Sequence, residues 1–151
     1  MSHVSLSQFA DRVNAIIPVM MKEFARRQIS ELHKEKITLP QLLVLDYVGM
    51  NGESKMKDVA YFMRVSTAAM TGIVQRLVRE HLLQRVFDPR DRRIIKVRLT
   101  SRGSELVKKI NTDRRKLIIR IFGKISEPDR QDYLRILVQI KEILLNENIK
   151  R

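Results

Sequence analysis

The chain has 151 residues, enough for one domain with a substantial core, and no cysteine, which excludes disulfides, thiolate metal ligands and a cysteine nucleophile. Thirty Lys and Arg residues face 17 Asp and Glu residues, giving a net charge of +13. The stretch 54–103 alone holds 12 basic and 4 acidic side chains. Clustered positive charge indicates a polyanionic partner, with a solvated basic surface as the alternative.

Apolar periodicity and capping residues define the first two predicted helices. Residues 6–31 carry one amphipathic stripe that keeps its phase across Pro18, so we expect a single kinked helix. The next helix begins at Thr38, whose side chain can form a capping box with Gln41, and it ends at Asn51-Gly52. Its apolar residues lie almost all round the helix, which predicts burial of Leu42, Leu43, Leu45, Val48 and Met50.

A short helix over 56–63 and a longer helix over 67–80 follow in the sequence. Ser66 precedes the longer helix as a candidate N-cap. One face of this helix is apolar at helical spacing, with Met70, Ile73, Val74, Leu77 and Val78. The opposite face has short side chains near its start and basic ones near its end, namely Ala68, Thr71, Gly72, Gln75, Arg76 and Arg79.

The period then changes from that of a helix to that of a strand. Residues 82–88 and 94–99 are predicted to be strands, and the basic turn between them makes a β-hairpin. Thr100 caps a long helix that ends near Gly123, and Ser126 begins the last helix.

Two short helices followed by a hairpin make a winged helix-turn-helix, so the fold class that we expect is mainly α with a small β-hairpin wing. An α-helix fits the major groove of B-DNA, and an Arg on a protruding wing can enter the minor groove. The residues predicted to contact double-stranded DNA are Ser66, Thr67, Ala68, Thr71, Gln75, Arg76, Arg90, Asp91, Arg92 and Arg93. The alternative for each is a structural role: Ser66 as an N-cap, Thr71 bonded to its own helix, and the wing tip as a solvated turn.

The hairpin and two upstream segments resemble the MarR family. The run Asp88-Pro89-Arg90-Asp91-Arg92-Arg93, followed six residues later by Leu99-Thr100-Ser101-Arg102-Gly103, resembles that family's wing signature, Asp-x-Arg and then Leu-Thr-x-x-Gly. Leu39-Pro40-Gln41 and Ser66-Thr67-Ala68-Ala69-Met70-Thr71 resemble its second helix and its recognition helix. The resemblance covers about residues 9–145.

For the DNA-binding region, the resemblance implies that Arg93 enters the minor groove and that Asp91 supports it through a charge-assisted bond. One departure from the family pattern is His81, because many relatives have Gly at this position, where a left-handed conformation is common.

The resemblance also implies a homodimeric transcriptional regulator, a repressor on a palindromic operator. Within a single domain of residues 1–151, the segments 1–36 and 104–151 would form the dimerisation helices and 37–103 the DNA-binding lobe. A small aromatic or anionic effector would bind between these parts and release the DNA. The candidate wall residues of its pocket are Met20, Met21, Phe24 and Tyr47, for which a core position is the alternative.

Other classes of protein are weaker interpretations. The three histidines, His3, His33 and His81, are far apart and no Gly-rich phosphate loop is present, so we expect neither an enzyme, nor a metal site, nor a cofactor. Neither a secretory signal nor a membrane-spanning apolar run is recognisable, so we expect a cytoplasmic protein. A winged helix that binds RNA or a protein partner is the alternative function.

Overall fold

The computed structural model describes residues 4–34 and 36–147, with the side chains of 28–34 and 147 left aside. Six helices and three short strands occupy these residues. In chain order they are α1 (Leu6–Lys34), α2 (Leu39–Asn51), β1 (Ser54–Lys55), α3 (Met56–Met63), α4 (Thr67–Arg79), β2 (Leu83–Phe87), β3 (Ile95–Leu99), α5 (Ser101–Phe122) and α6 (Glu127–Glu147). The predicted class, mainly α with a β wing, is confirmed.

The chain forms two compact units, Met1–Asp113 and Arg114–Arg151, whose boundary falls within α5. This boundary does not test the predicted division into dimerisation helices and a DNA-binding lobe, which stays a prediction. None of the helices in the described residues is both long and apolar enough to cross a membrane.

The core of the first unit lies between α2, α3, α4, the sheet and the start of α5. Its fully buried side chains are all aliphatic or Met, as the low aromatic content requires: Leu45, Met70, Leu77, Leu82, Leu83, Val44, Val48, Val59, Val74 and Val97. The prediction that α2 is buried almost all round is wrong for Leu43 and Met50, which are 40% and 87% exposed. An apolar sequence with no polar stripe cannot indicate which face of its helix meets the core.

The sheet has one strand more than the predicted hairpin. The order is β1-β3-β2, with both pairs antiparallel, so β3 is the central strand. In the hairpin, Leu83 pairs with Leu99 and Phe87 with Ile95, while Ser54 of β1 pairs with Val97. The strand β1 was missed because two residues are too few for a period.

Two predicted features of the helices are confirmed. Pro18 lies inside the single helix α1. At the start of α2, the Thr38 hydroxyl accepts from the Gln41 N–H and the Gln41 side chain accepts from the Thr38 N–H at 2.8 Å, which completes the capping box.

In the second unit, the turn between α5 and α6 is fixed by side chains of α6. Arg130 donates to the carbonyl oxygens of Phe122 and Ile125, at 3.2 and 2.7 Å, so its guanidinium satisfies acceptors at the end of α5. The rings of Phe122 and Tyr133 stack with centroids 5.3 Å apart. Ser126 caps α6 as predicted, because its hydroxyl accepts from the Asp129 N–H.

Candidate nucleic-acid interface

A tight turn between α3 and α4 fixes the start of α4. Arg64 has a left-handed backbone (φ 53°), and the N–H of Val65 donates to the Ala60 carbonyl at 3.1 Å, which closes α3 within two residues. The Ser66 hydroxyl then accepts from the Ala69 N–H at 3.1 Å. Ser66 is therefore the N-cap of α4, and the structural interpretation of this residue is confirmed.

The two faces of α4 separate as the apolar stripe predicts. Met70, Val74 and Leu77 are buried, whereas all the predicted DNA-contact residues of this segment are exposed: Ser66, Thr67, Ala68, Thr71, Gln75 and Arg76. The Thr71 hydroxyl donates to the Thr67 carbonyl at 2.8 Å, which confirms the bond back to its own helix. Its oxygen can still accept a hydrogen bond from a ligand.

The end of α4 is formed at His81, the position where the sequence has His and many relatives of the resembled family have Gly. This residue is left-handed, with φ 57°, as the comparison with Gly suggested. The N–H of His81 donates to the Val78 carbonyl at 3.0 Å, and that of Leu82 to the Leu77 carbonyl at 2.9 Å. This is the Schellman pattern, in which a buried residue such as Leu82 follows the left-handed position. The chain thus leaves α4 directly into β2.

A junction of three elements explains the Leu-Thr-x-x-Gly part of the signature. The Thr100 hydroxyl donates to the His81 carbonyl at 2.6 Å and accepts from the Gly103 N–H at 3.0 Å, so one side chain caps α5 and holds the end of α4. The Thr100 N–H donates to the Leu82 carbonyl at 3.1 Å. A Cβ on Gly103 would lie 2.0 Å from that carbonyl oxygen, so only glycine fits here.

The tip of the wing is organised by two aspartates. The Asp88 carboxylate accepts from the Arg90 N–H, and the Asp91 carboxylate accepts from the Arg93 N–H, both at 2.9 Å. The Ile94 N–H donates to the Asp91 carbonyl at 3.0 Å. The support that Asp91 gives to Arg93 therefore reaches the main chain and not the guanidinium group, as an Asx turn does. The expectation that Asp91 orients the Arg93 side chain through a charge-assisted bond is therefore corrected, because the bond goes to the Arg93 N–H.

Lys96 anchors the base of the wing. Its ammonium group lies 3.0 Å from the Asp88 carboxylate and 3.4 Å from that of Glu53, so it links the central strand to both flanking segments. The Arg90 N–H, and then Lys96, hold the pKa of Asp88 below its ordinary value. The bond to Asp88 in turn raises the pKa of Lys96. These charges brace the hairpin.

The start of α4 and the wing meet around one open depression of about 290 Å³. Its lining combines two hydroxyls of α4 with three cationic side chains from β1, α3 and the wing: Thr67, Thr71, Lys55, Lys57 and Arg93, beside Met56, Ile94 and Ile95. The predicted residues Arg90, Asp91 and Arg92 are exposed at the tip and do not line it. The contributions of Lys55 and Lys57 were missed, although a Lys-x-Lys pair at the start of a helix was a visible signal.

The residues predicted to form an effector pocket do not line either of the two cavities described for this chain. Tyr47 is half-buried and packs against the core and against Phe62, with ring centroids 4.5 Å apart. Phe24 is also half-buried, but Met20 and Met21 are 42% and 67% exposed. A core position is therefore wrong for these two methionines in the single chain, and the effector pocket stays a prediction.

A recognition-type helix, a turn, and a braced hairpin with a basic tip define the class of this molecule, a winged helix-turn-helix protein. A family model described as MarR family matches residues 36–94. The chain is 24% identical over 150 residues to the HTH-type transcriptional repressor MdtR of Bacillus subtilis (strain 168), in an alignment that covers 97% of each chain.

Solved structures share the same fold. RV1404 from Mycobacterium tuberculosis is similar at a TM-score of 0.81 with 25% identity, over 94% of this chain and 96% of that one. A mutant of S. aureus MepR bound to an oligodeoxyribonucleotide is similar at a TM-score of 0.65 with 19% identity, over 87% of this chain and 96% of that one. The match to a MarR family model over residues 36–94 agrees with the resemblance that the wing signature indicated.

Proposed function

We propose that this protein is a sequence-specific DNA-binding transcriptional regulator, a repressor that binds a palindromic operator as a homodimer. The observation that carries the proposal is the depression in which the polar start of α4 and the wing residue Arg93 lie side by side, together with Lys55 and Lys57. A helix face with short polar side chains next to several cations suits the major groove and the phosphates that line it.

Contacts of two kinds follow from this arrangement. Thr67, Thr71 and Gln75 are exposed on α4, where hydroxyl and amide groups can bond base edges and methyl groups can meet a thymine. Arg93 stands where the wing leaves its turn and would enter the narrow, electronegative minor groove. The first kind of contact specifies the sequence, whereas the second reads groove shape and potential.

A homodimer is the assembly that the apolar faces of the long helices support. In α1, Phe9, Ile16 and Ile17 are about half-exposed, and α6 exposes an apolar series that includes Leu134, Leu137, Ile140, Ile143, Leu144 and Leu145. Such extended apolar surface indicates a protein interface. Sedimentation at micromolar concentration should give about twice the chain mass of 17.8 kDa. A monomer under these conditions would contradict the palindromic operator, because a two-fold site requires two subunits.

The decisive experiment compares the two kinds of contact. Duplexes selected from a random pool define the operator, and each variant is then titrated with that operator, with a scrambled duplex and with duplex RNA. Gln75→Ala should cost about 1–3 kcal/mol at one or two base pairs of each half-site and leave scrambled DNA unaffected. Arg93→Ala should weaken binding to both DNA duplexes, most strongly for sites with A/T-rich flanks.

Lys124→Ala, an exposed change in the turn between α5 and α6, serves as the control for loss of a positive charge. Both contact variants should melt like the parent protein, since their side chains are on the surface. If Arg93→Ala remains folded and binds both DNA duplexes as the parent does, the wing is not a DNA contact. Equal affinity for RNA and for the operator would favour an RNA-binding module instead.

A further inference from the structure

A second cleft with an excess of positive charge lies at the other end of α4. It has a volume of about 450 Å³ and is lined by residues from the turn before α2, the start of α2, the end of α4 and the start of α5. Four of its side chains are cationic and one is anionic; the lining residues are Lys36, Ile37, Thr38, Gln41, Arg76, Arg79, Glu80 and Arg102. The excess of positive charge in a concave site indicates an anionic occupant.

Hydrogen bonds within the protein hold the walls of this cleft in place. Arg102 donates to the main-chain carbonyl of Glu80 at 2.9 Å, so the start of α5 is tied to the end of α4 across the cleft. Gln41, at 7% exposure, is held by its bond to the Thr38 N–H, which fixes the wall that α2 provides. Arg76, Arg79 and Lys36 are exposed, so their charges reach the opening of a fixed frame.

We propose that this cleft is a phosphate site, and that it holds the DNA backbone at the end of α4 opposite to the wing. From Thr67 to Arg79 the helix is about 18 Å long, at about 1.5 Å per residue. The major groove is about 12 Å wide, so a helix that lies across it reaches the backbone at both ends. The first depression supplies Lys55 and Lys57 at one end, and this cleft supplies its four cations at the other.

This inference rests on the proposed function, and it predicts that the contact is independent of sequence. Phosphate contacts position a protein on DNA without reading bases, and each makes the slope of log affinity against log salt steeper by about 0.9. Glu80 limits the cleft to a small number of phosphate oxygens, because its carboxylate repels them. The contact should therefore strengthen all binding equally and leave discrimination between bases to the start of α4.

The test uses the double variant Lys36→Gln/Arg79→Gln in the full-length dimeric protein, with Lys124→Gln as the control outside the cleft. Arg102 is left unchanged because it braces the frame. Each subunit loses two phosphate contacts and the dimer four, so the slope against salt should fall by about 3.6 for operator and scrambled duplex alike. The loss of affinity between 50 and 200 mM salt should therefore be about 150-fold smaller than in the parent. The operator-to-scrambled ratio should not change.

A second arm distinguishes DNA phosphate from a free phosphate-bearing anion. Pyrophosphate is titrated into parent and double variant by calorimetry at constant ionic strength, without DNA. If the double variant keeps the parent's salt slope but loses pyrophosphate binding, the cleft serves a free anion and the assignment to the DNA backbone is wrong. If neither quantity changes, the cleft is not an anion site. Absence of duplex binding in the parent would instead contradict the proposed function itself.

Discussion

The close approach of Gly103 to the Leu82 carbonyl gives a specific prediction of stability. In Gly103→Ala the new Cβ would lie 2.0 Å from the Leu82 carbonyl oxygen and 2.9 Å from its carbon, so backbone must move on one side. The start of α5 cannot move without weakening the bonds of Thr100 to Leu82 and His81, at 3.1 and 2.6 Å. Overpacking costs about 1–3 kcal/mol and each weakened hydrogen bond about 1 kcal/mol.

Alanine is favoured over glycine in a helix by about 1 kcal/mol, which offsets part of this cost. We therefore expect Gly103→Ala to lower the free energy of unfolding by about 2–4 kcal/mol and the melting temperature by roughly 4–16 °C. The matched control is Gly72→Ala, because a Cβ at Gly72 meets nothing within 4 Å. That substitution should raise the free energy of unfolding by about 0.5–1 kcal/mol.

Both glycine variants are compared with the parent by thermal melts monitored by circular dichroism, at one protomer concentration because dimerisation shifts the apparent stability. Equal melting temperatures for Gly103→Ala and the parent would refute the close approach of α5 to Leu82. If Gly72→Ala lowered the melting temperature as much as Gly103→Ala, the close contact could not be the cause. Any alanine substitution of a glycine in these helices would then destabilise the protein.

Two further predictions separate structural roles from DNA contacts. Ser66→Ala should lower the free energy of unfolding by about 1 kcal/mol, whereas Ser66→Asp should keep the cap yet weaken DNA binding by charge repulsion; equal DNA affinity in both variants would exclude Ser66 from the interface. Asp88→Asn should destabilise the wing at neutral pH, because the folded state holds the pKa of Asp88 below its ordinary 3.8. The stabilisation is present above that pH and is lost as pH falls through the lower folded value, so melts of parent and variant should converge in acid, and a constant difference between them would contradict this role.

The sequence predicted the helices well because their starts and ends carry local signals. Thr38, Ser66 and Ser126 are caps in the structure as in the prediction, and α3 has the expected bounds. The sequence was a poorer guide to which face of a helix is buried, as the exposure of Met50 shows. A cap is decided by a few neighbouring residues, whereas the buried face depends on which other elements pack nearby.

The candidate functional residues likewise differ in whether local sequence signals could locate them. The exposed face of α4 and the position of Arg93 were predictable, because a helical period and a motif each locate residues within one element. The cleft formed by Lys36, Arg76, Arg79 and Arg102 was not predictable, because these residues come from the turn before α2, from α4 and from α5, which only the fold brings together. Similarly, the motif suggested that Asp91 supports Arg93, but only coordinates could distinguish a bond to the main chain from one to the side chain.

The family signature combines two different physical requirements. Its Asp-x-Arg part shapes a turn and leaves a cation, Arg93, exposed. In its Leu-Thr-x-x-Gly part the two residues Thr and Gly are structural, because Thr100 binds the end of α4 and Gly103 admits the Leu82 carbonyl. Since β2 begins directly after this junction, the junction sets the direction in which the wing leaves α4. The second half of the motif thus determines where the first half can place Arg93 relative to α4.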